Sequence, residues 1–92
     1  MTKSDLITAL MEKLNVPIKV SESIINVIFD SMADTMIAGG RIEIRGFGSF
    51  VIKEYSGYTG RNPKSGFVVE VKPKKLPFFK VGRELKERVD RM

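Results

Sequence analysis

The residues best suited to chemistry lie in one polar stretch, Thr59 to Gly66, which reads Thr-Gly-Arg-Asn-Pro-Lys-Ser-Gly. Its glycines and its Asn-Pro pair are typical of a turn. The turn carries two cations, Arg61 and Lys64, and no acidic residue. An exposed turn with this charge is suited to binding a polyanion, and nucleic acid is the first candidate.

Two runs with strand composition flank this turn, residues 50–55 and residues 67–73. They predict a long β-hairpin with residues 59–66 at its tip. Thirteen steps separate Phe50 from Pro63, which corresponds to roughly 43 Å of extended chain. The distal half must therefore project from a small domain. Because an isolated two-stranded ribbon is marginally stable in water, we expect this arm to contact a partner.

The tip carries Pro63, a rigid and apolar side chain, at its extremity. A proline in this place can wedge between stacked base pairs from the minor groove. Arg61 and Asn62 suit the acceptors and the negative potential of that groove. The alternative is that Asn62 and Pro63 only shape the turn.

The composition argues against an enzyme. The sequence has no Cys and no His, which excludes disulfides, Cys/His zinc sites and catalytic groups that need imidazole. Pro63 precedes Lys64 where a phosphate-binding loop requires glycine, and proline has no N–H to donate to a phosphate. No clustered spacing of carboxylates indicates a metal site. We predict no catalytic residue, no metal, no cofactor and no small-molecule substrate.

The 92 residues predict a single domain, residues 1–92, with an uneven charge. Residues 1–40 hold three Lys/Arg and five Asp/Glu, a net charge of −2, and residues 41–92 hold thirteen and six, a net charge of +7. This division fits a polyanion-binding face on a separate base, although a basic soluble domain without such a partner is the alternative. The first residues lack an apolar signal segment, and no run approaches the length of a membrane span. We expect a cytoplasmic protein with no membrane contact.

Residues 1–40 predict a helical base. Thr2 and Asp5 resemble a capping box, and apolar residues at helical spacing predict a helix over residues 3–14. A second helix is predicted from residue 19 or 21 to Ala38.

The second helix carries more apolar surface than one core needs. It is predicted to end at the Gly39-Gly40 pair. Its apolar positions cover an arc of roughly 200°, whereas a helix packed on a single surface shows a stripe a little over 100° wide. These positions are Ile24, Ile25, Val27, Ile28, Phe29, Met32 and Met36. The excess predicts a dimer interface.

Residues 41–77 predict the sheet and the arm. Residues 41–45 alternate strictly, which predicts a strand with Ile42 and Ile44 turned inward. Residues 46–48, Gly-Phe-Gly, predict a tight reversal around an aromatic anchor.

The C-terminal part predicts the end of the sheet and a last helix. Residues 73–77 are predicted to break the returning strand, and residues 81–91 to form the helix. Cations near the two helix starts are candidates for phosphate contacts, with a solvated side chain as the alternative. They are Lys3, Lys80, Arg83 and Lys86.

Three segments resemble the bacterial HU/IHF histone-like DNA-bending proteins, and the resemblance spans essentially the whole chain. They are Gly-Phe-Gly-Ser-Phe at residues 46–50, the tip at residues 59–66, and Pro-Phe-Phe-Lys-Val-Gly-Arg-Glu-Leu at residues 77–85. Residues 1–7 and 41–46 are most similar to the beta-type subunits of the integration host factor branch. A homodimer of HU type, which binds DNA without sequence preference, is the alternative.

The resemblance implies an α+β fold: an intertwined dimer with a helical base and a three-stranded antiparallel sheet extended into a long β-hairpin DNA-binding arm. The arms would reach around double-stranded DNA in the minor groove, where Pro63 would intercalate and kink the duplex. HU and IHF are themselves the proteins for which such a wedge is described, so the mechanism comes from the family. The implied partner is a second copy or a related subunit. The implied setting is the bacterial nucleoid, in DNA organisation, recombination and transcription.

The resemblance also implies which residues contact DNA and the partner subunit. On the arm they are Lys53, Tyr55, Tyr58, Thr59, Gly60, Arg61, Asn62, Pro63, Lys64 and Ser65. On the base they are Lys3, Glu43, Arg45, Gly46, Gly48, Lys75, Lys80, Arg83 and Lys86. The expected dimer interface contains Ile24, Ile25, Ile28, Phe29, Met32, Phe47, Phe50 and Phe79.

The sequence departs from the family at three positions. Tyr55 and Tyr58 stand where the family commonly has arginine, and Ser65 replaces the usual threonine. The loss of two positive charges per arm predicts weaker non-specific binding. Binding is not expected to be lost, because tyrosine can still donate to a phosphate or pack on a sugar.

Two other classes of partner are disfavoured. An arm that pairs with the sheet edge of a partner protein would have an apolar tip with less charge. An RNA-binding variant would need an aromatic pair for base stacking on a sheet face, and the sequence pattern predicts none.

Overall fold

A computed structural model describes residues 1–91, which form three helices and five strands. In chain order they are α1 (Lys3–Leu14), α2 (Ile18–Ile37), β1 (Ile42–Ile44), β2 (Gly48–Tyr55), β3 (Tyr58–Arg61), β4 (Val68–Val71), β5 (Lys74–Val81) and α3 (Arg83–Asp90). The α+β class predicted from the sequence is confirmed. None of the helices in the described chain is long and apolar enough to cross a membrane.

Helix α1 has the bounds and the cap predicted from the sequence. The backbone N–H of Thr2 donates to the Asp5 carboxylate at 2.9 Å, and the N–H of Asp5 donates to the Thr2 hydroxyl at 3.1 Å. These reciprocal bonds satisfy two of the amide groups that a helix start leaves unpaired. Asn15 ends the helix in the left-handed conformation, with φ at 54°.

Helix α2 begins at Ile18, one residue before the predicted range. Pro17 is its N-cap, and the Pro17 carbonyl accepts from the N–H groups of Val20 and Ser21. At the other end the N–H of Gly39 donates to Met36 and that of Gly40 donates to Thr35, both at 2.9 Å. This pair of bonds is a Schellman motif, so the predicted stop at the two glycines is confirmed.

The interior of one protomer is small. Among the described residues only Ser21, Ile25 and Gly48 are buried. The Ser21 hydroxyl donates to the carbonyl of Ile7 at 2.6 Å and so ties α2 to α1. Since no large side chain is fully enclosed, this protomer has little core of its own.

A three-stranded antiparallel sheet with the order β1-β2-β5 packs beside α2. Phe50 of β2 lies opposite Ile42 and Phe79, and the Phe79 ring is 4.8 Å from that of Phe50 and 5.5 Å from that of Phe47. Ile42 is half-buried, but Ile44 is 40% exposed. Ile44 lies opposite the buried Gly48 on the same face of the sheet as Ile42, as predicted, but the protomer covers it less completely.

The reversal predicted at residues 46–48 is confirmed. The N–H of Phe47 donates to the Ile44 carbonyl at 2.9 Å, and Gly46 has φ at 82°, which favours glycine. Gly48 is buried so closely that an added Cβ would lie 2.6 Å from the Lys80 carbonyl oxygen. Gly46 is therefore needed for the backbone conformation of the turn, and Gly48 for its close approach to β5.

The strand break predicted at residues 73–77 is confirmed only at its start: β4 ends at Val71 and Pro73 belongs to no strand, whereas residues 74–77 are part of a strand. Strand β5 runs without interruption from Lys74 to Val81 and pairs with β2 along its whole length. Pro77 lies opposite Ile52 within the ladder; proline is tolerated there because β5 is an edge strand. The last helix begins at Arg83 and not at residue 81, since Val81 still belongs to the sheet.

The hairpin projects as predicted, but in two parts. The ladder of β2 and β5 ends at the pair Tyr55–Lys74, and a separate two-stranded sheet begins at the pair Tyr58–Val71. The molecule extends over 60 Å, with a radius of gyration of 19.3 Å, whereas about 12 Å is typical of a compact chain of this length. We call residues 53–76 the arm.

Candidate nucleic-acid interface

The tip of the arm is closed by backbone hydrogen bonds around Asn62. Its N–H donates to the Phe67 carbonyl at 2.8 Å, and its carbonyl accepts from Gly66 at 2.7 Å. Gly66 has φ at 74°, a conformation that favours glycine. These bonds hold Pro63, which follows Asn62, at the outer end of the hairpin.

The side chain of Asn62 also has a fixed role. Its carboxamide oxygen accepts from the N–H groups of Lys64 at 2.8 Å and Ser65 at 3.3 Å. With the oxygen engaged by the turn, the NH₂ group is the part of Asn62 that can serve an external acceptor. The Ser65 hydroxyl accepts from the N–H of Phe67 at 3.3 Å, so this side chain too is part of the turn.

The two tip cations are free of ion pairs. The ion pairs found within residues 1–91 join Arg41 to Glu43, Lys75 to Glu54 and Arg83 to Glu87. Arg61 and Lys64 take part in none of them, and both are exposed. Their charge is therefore available to an anion.

The two faces of the arm have different surroundings. One face turns toward α2, where Ile52, Glu54, Lys75 and Pro77 line a groove of about 480 Å³ together with the end of the helix. Strand alternation puts Lys53 and Tyr55 on the opposite face. There the Lys53 ammonium lies 3.6 Å from the centre of the Phe78 ring. Two of the predicted cations therefore lie on different faces of the arm. Lys75 is on the face toward α2, and Lys53 is on the face that points away from it.

On the base, the turn at residues 46–48 and the start of α3 come together. The N–H of Gly82 donates to the Phe47 carbonyl at 2.9 Å. A cavity of about 470 Å³ is lined there by Glu43, Ile44, Arg45, Gly46, Gly48, Ser49 and Gly82. The structure therefore brings Glu43, Arg45 and the two glycines to one place.

Two acidic side chains, Glu43 and Glu84, add negative charge to this part of the base. Arg41 pairs with Glu43 at 2.7 Å, whereas Arg45, the residue after β1, has no ion pair within residues 1–91. The Glu84 carboxylate lies next to Gly46, 2.8 Å from where a Cβ would stand. The sequence alone did not predict this neighbour of Gly46, because the contact joins residues far apart in the chain.

The remaining predicted contacts are exposed but not all are unpaired. Arg83 donates to Glu87 at 3.0 Å along α3, whereas Lys80 and Lys86 are exposed without an ion pair in the described chain. Lys3 is exposed in the first turn of α1. Thr59 is exposed, and Gly60 lies beside the Tyr58 ring.

Sequence reasoning did not single out two further lysines of the arm. Lys72 and Lys74, both exposed, share a cleft of about 560 Å³ with Tyr55 and Tyr58. The spacing of the tyrosines hid this grouping, because residues three apart point to opposite faces of a regular strand.

A family model described as bacterial DNA-binding protein matches residues 1–90. The chain belongs to this bacterial DNA-binding protein family. Among its relatives, the integration host factor subunit beta of Shewanella halifaxensis is 50% identical over 91 residues, covering 98% of this chain and 96% of that protein. The corresponding subunit of Laribacter hongkongensis is 50% identical over 91 residues, with 98% and 92% covered.

Solved structures of family members share the fold. The Anabaena HU–DNA cocrystal structure superposes with a TM-score of 0.82 at 29% identity and covers 97% of each chain. HU from Thermotoga maritima superposes with a TM-score of 0.65 at 26% identity, and the match covers 97% of this chain and 98% of that chain. The resemblance inferred from the sequence is confirmed, both for the family and for the similarity to integration host factor beta subunits.

Proposed function

We propose that this chain is an architectural protein that binds double-stranded DNA in the minor groove and bends it. The observation that carries the proposal is the tip: Pro63 stands at the end of a hydrogen-bonded turn, between two unpaired cations, on an arm that projects from the base. The DNA in the cocrystal structure of the related Anabaena HU supports the choice of ligand.

The proposed mechanism assigns separate tasks to the tip residues. Pro63 inserts between two base pairs and opens the step, at a cost of about a few kcal/mol. Arg61 and Lys64 offset this cost through the negative potential of the groove and its phosphates. The NH₂ group of Asn62 donates to a minor-groove acceptor, since its oxygen is held by the turn.

The remaining contacts are proposed for the rest of the arm and for the base. Lys53, Tyr55, Tyr58, Thr59, Gly60 and Ser65 follow the groove from the arm. Phosphates beside the base are contacted by Lys75 at the foot of the arm and by Lys3, Gly46, Gly48, Lys80, Arg83 and Lys86. Glu43 and Arg45, which share one cavity, contact part of a preferred site. The 50% identity with integration host factor beta subunits favours such a preference.

We further propose that the working form is an intertwined dimer. One protomer exposes 8099 Å², whereas a compact protein of this mass exposes about 5,400 Å². The excess is in the range that obligate dimers bury. The exposed apolar side chains include Ile28, Phe29, Phe47 and Phe79, and Ile24, Met32 and Phe50 are half-buried beside them. Ile25 is only 4% exposed and offers almost no area to a partner.

In this proposal the chain is one domain, with a helical base at residues 1–40, a sheet and arm from residue 41 and a C-terminal helix. It acts in the bacterial nucleoid, in DNA organisation, recombination and transcription, and does no catalysis. A homodimer that binds by shape alone is the second candidate, favoured by the structural similarity to HU.

A gel-shift and FRET bending assay of the chain alone tests the function. It compares a duplex carrying an integration-host-factor-type site with a scrambled duplex at two salt concentrations. Selective bending of the first supports site reading through Glu43 and Arg45, and equal bending of both supports the HU-like homodimer. A folded dimer that bends neither would count against the proposal for the chain alone and would require the assay to be repeated with a related subunit.

A further inference from the structure

A cleft at the shoulder of the arm contains two tyrosine rings that take no part in the intercalation proposed for Pro63. It lies where the ladder of β2 and β5 ends and that of β3 and β4 begins. Its volume is about 560 Å³, which is within the range of ligand-binding clefts. Its lining residues are Tyr55, Ser56, Tyr58, Val71, Lys72, Lys74 and Leu76.

The break between the two ladders explains why both tyrosines line this cleft. In an unbroken strand, residues 55 and 58 would point to opposite faces. Ser56 and Gly57 lie between the two ladders and are paired in neither of them. Gly57 packs so closely that an added Cβ would lie 2.8 Å from the Pro73 ring and from the Val71 carbonyl. The break is therefore a packed feature of the arm.

The cleft combines aromatic rings with positive charge. Tyr55 is 45% exposed and Tyr58 64% exposed, so both rings are open to a ligand. The Lys74 ammonium lies 5.9 Å from the centre of the Tyr55 ring, and Lys72 lines the same cleft. Aromatic rings stack on nucleobases, and ammonium groups hold the phosphates on either side of a stacked base.

We propose that this cleft binds an unpaired nucleobase, so that the arm binds single-stranded DNA as well as duplex. A paired base is stacked inside the duplex and presents only its edges, so a tyrosine ring reaches the face of an unpaired base alone. The inference rests on the proposed function, because it takes the arm to be a DNA-binding element. DNA is the ligand favoured by the family to which the chain belongs.

The test compares two single strands of equal charge. One is an oligonucleotide of twenty thymidines, and the other has twenty abasic residues with the same phosphates. The sequence has two tyrosines and no tryptophan, so the protein's tyrosine emission comes from this cleft. We expect the thymidine strand to quench this emission and to bind about tenfold more tightly than the abasic strand. Equal affinity and equal quenching would overturn the proposal.

Variants locate the effect. Tyr58→Ala is expected to remove the preference for thymidines, and Tyr58→Phe to retain it, because a phenyl ring still stacks. Phe67→Ala provides the matched control: Phe67 is an arm aromatic that is 75% exposed and lies outside the cleft, so the preference should persist. Loss of the preference in Phe67→Ala, or its survival in a folded Tyr58→Ala, would place the stacking elsewhere and overturn the assignment.

Duplex bending by the same preparations separates the two proposals. A chain that bends duplex DNA but does not distinguish thymidine from abasic strands keeps the proposed function and loses this inference. A chain that fails to bind either duplex or single strands contradicts both. If Tyr58→Ala does not fold, the parent and Tyr58→Phe still decide, because the comparison of thymidine with abasic strands needs no further variant.

Discussion

The carboxamide oxygen of Asn62 accepts a hydrogen bond from the backbone N–H of Lys64 at 2.8 Å. This bond fixes both the turn and the orientation of the side chain. Shaping the turn and contacting DNA are therefore compatible roles for Asn62. The oxygen serves the turn, and the NH₂ group is left for the groove.

Substitutions of Asn62 should separate these two roles. Asn62→Asp keeps an acceptor for the turn but replaces the donor with a negative charge, so the tip should stay ordered while DNA affinity falls. Asn62→Ala removes the acceptor and should loosen the tip by about 1 kcal/mol. NMR of the Lys64 and Ser65 amides reports the turn, and gel shifts report affinity. Parent-like DNA binding by Asn62→Asp would exclude the proposed donor.

Pro63→Ala should reduce bending more than binding. The substitution removes the wedge, and it also removes the cost of opening the base step, so the two effects on affinity partly cancel. FRET on an end-labelled duplex should show a smaller bend, while the dissociation constant changes by a few-fold at most. Pro17→Ala, a proline at the N-cap of α2, is the control and should leave the bend unchanged. An equal loss of bending and binding in Pro63→Ala would argue against intercalation.

Local signals made much of the fold predictable. The capping box at Thr2, the glycine stop after α2 and the turn at residues 46–48 each depend on residues close in the chain, and the structure confirms all three. The continuous β5 was missed because Pro77 was interpreted as a local breaker. Proline is tolerated at this position because β5 is an edge strand, with β2 as a neighbour on one side only. No local sequence pattern reveals this arrangement.

The candidate site was likewise predictable only where its residues are contiguous in the chain. The tip could be recognised because its turn residues and cations are contiguous. The tyrosine cleft could not, because strand alternation separates Tyr55 from Tyr58 and only the break at Ser56-Gly57 brings them together. Contacts between distant segments, such as Glu84 with Gly46, were beyond local patterns for the same reason.

Ser21→Ala should lower the free energy of unfolding by about 1 kcal/mol per protomer, because it removes a buried hydrogen bond to Ile7. Urea unfolding at one fixed protein concentration measures it, since the stability of a dimer depends on concentration. Ser23→Ala, at an exposed position of the same helix, should stay within about 0.5 kcal/mol of the parent. An unchanged free energy of unfolding in Ser21→Ala would show that the hydrogen bond between the two helices makes no net contribution to stability.

Ile28→Glu should dissociate the dimer. Ile28 is 47% exposed in one protomer, and burying an unpaired carboxylate against a second copy costs several kcal/mol. Sedimentation equilibrium should show a monomer or a large rise in the dissociation constant. Ser23→Glu introduces the same charge outside the apolar arc of α2 and should leave the dimer intact. A folded, unchanged dimer of Ile28→Glu would place the interface elsewhere.

Tyr58→Arg should strengthen the binding of duplex DNA and steepen its salt dependence. Tyr58 is 64% exposed on the arm, and a guanidinium there can reach a phosphate that the phenol cannot neutralise. Each new phosphate contact increases the slope of log K against log salt by about 0.9 in magnitude. Tyr58→Gln is the matched control, since it is polar but uncharged and should keep the parent slope. If Tyr58→Arg gives the slope and affinity of the parent, the position does not face the DNA backbone, and its tyrosine cannot be the cause of weaker non-specific binding.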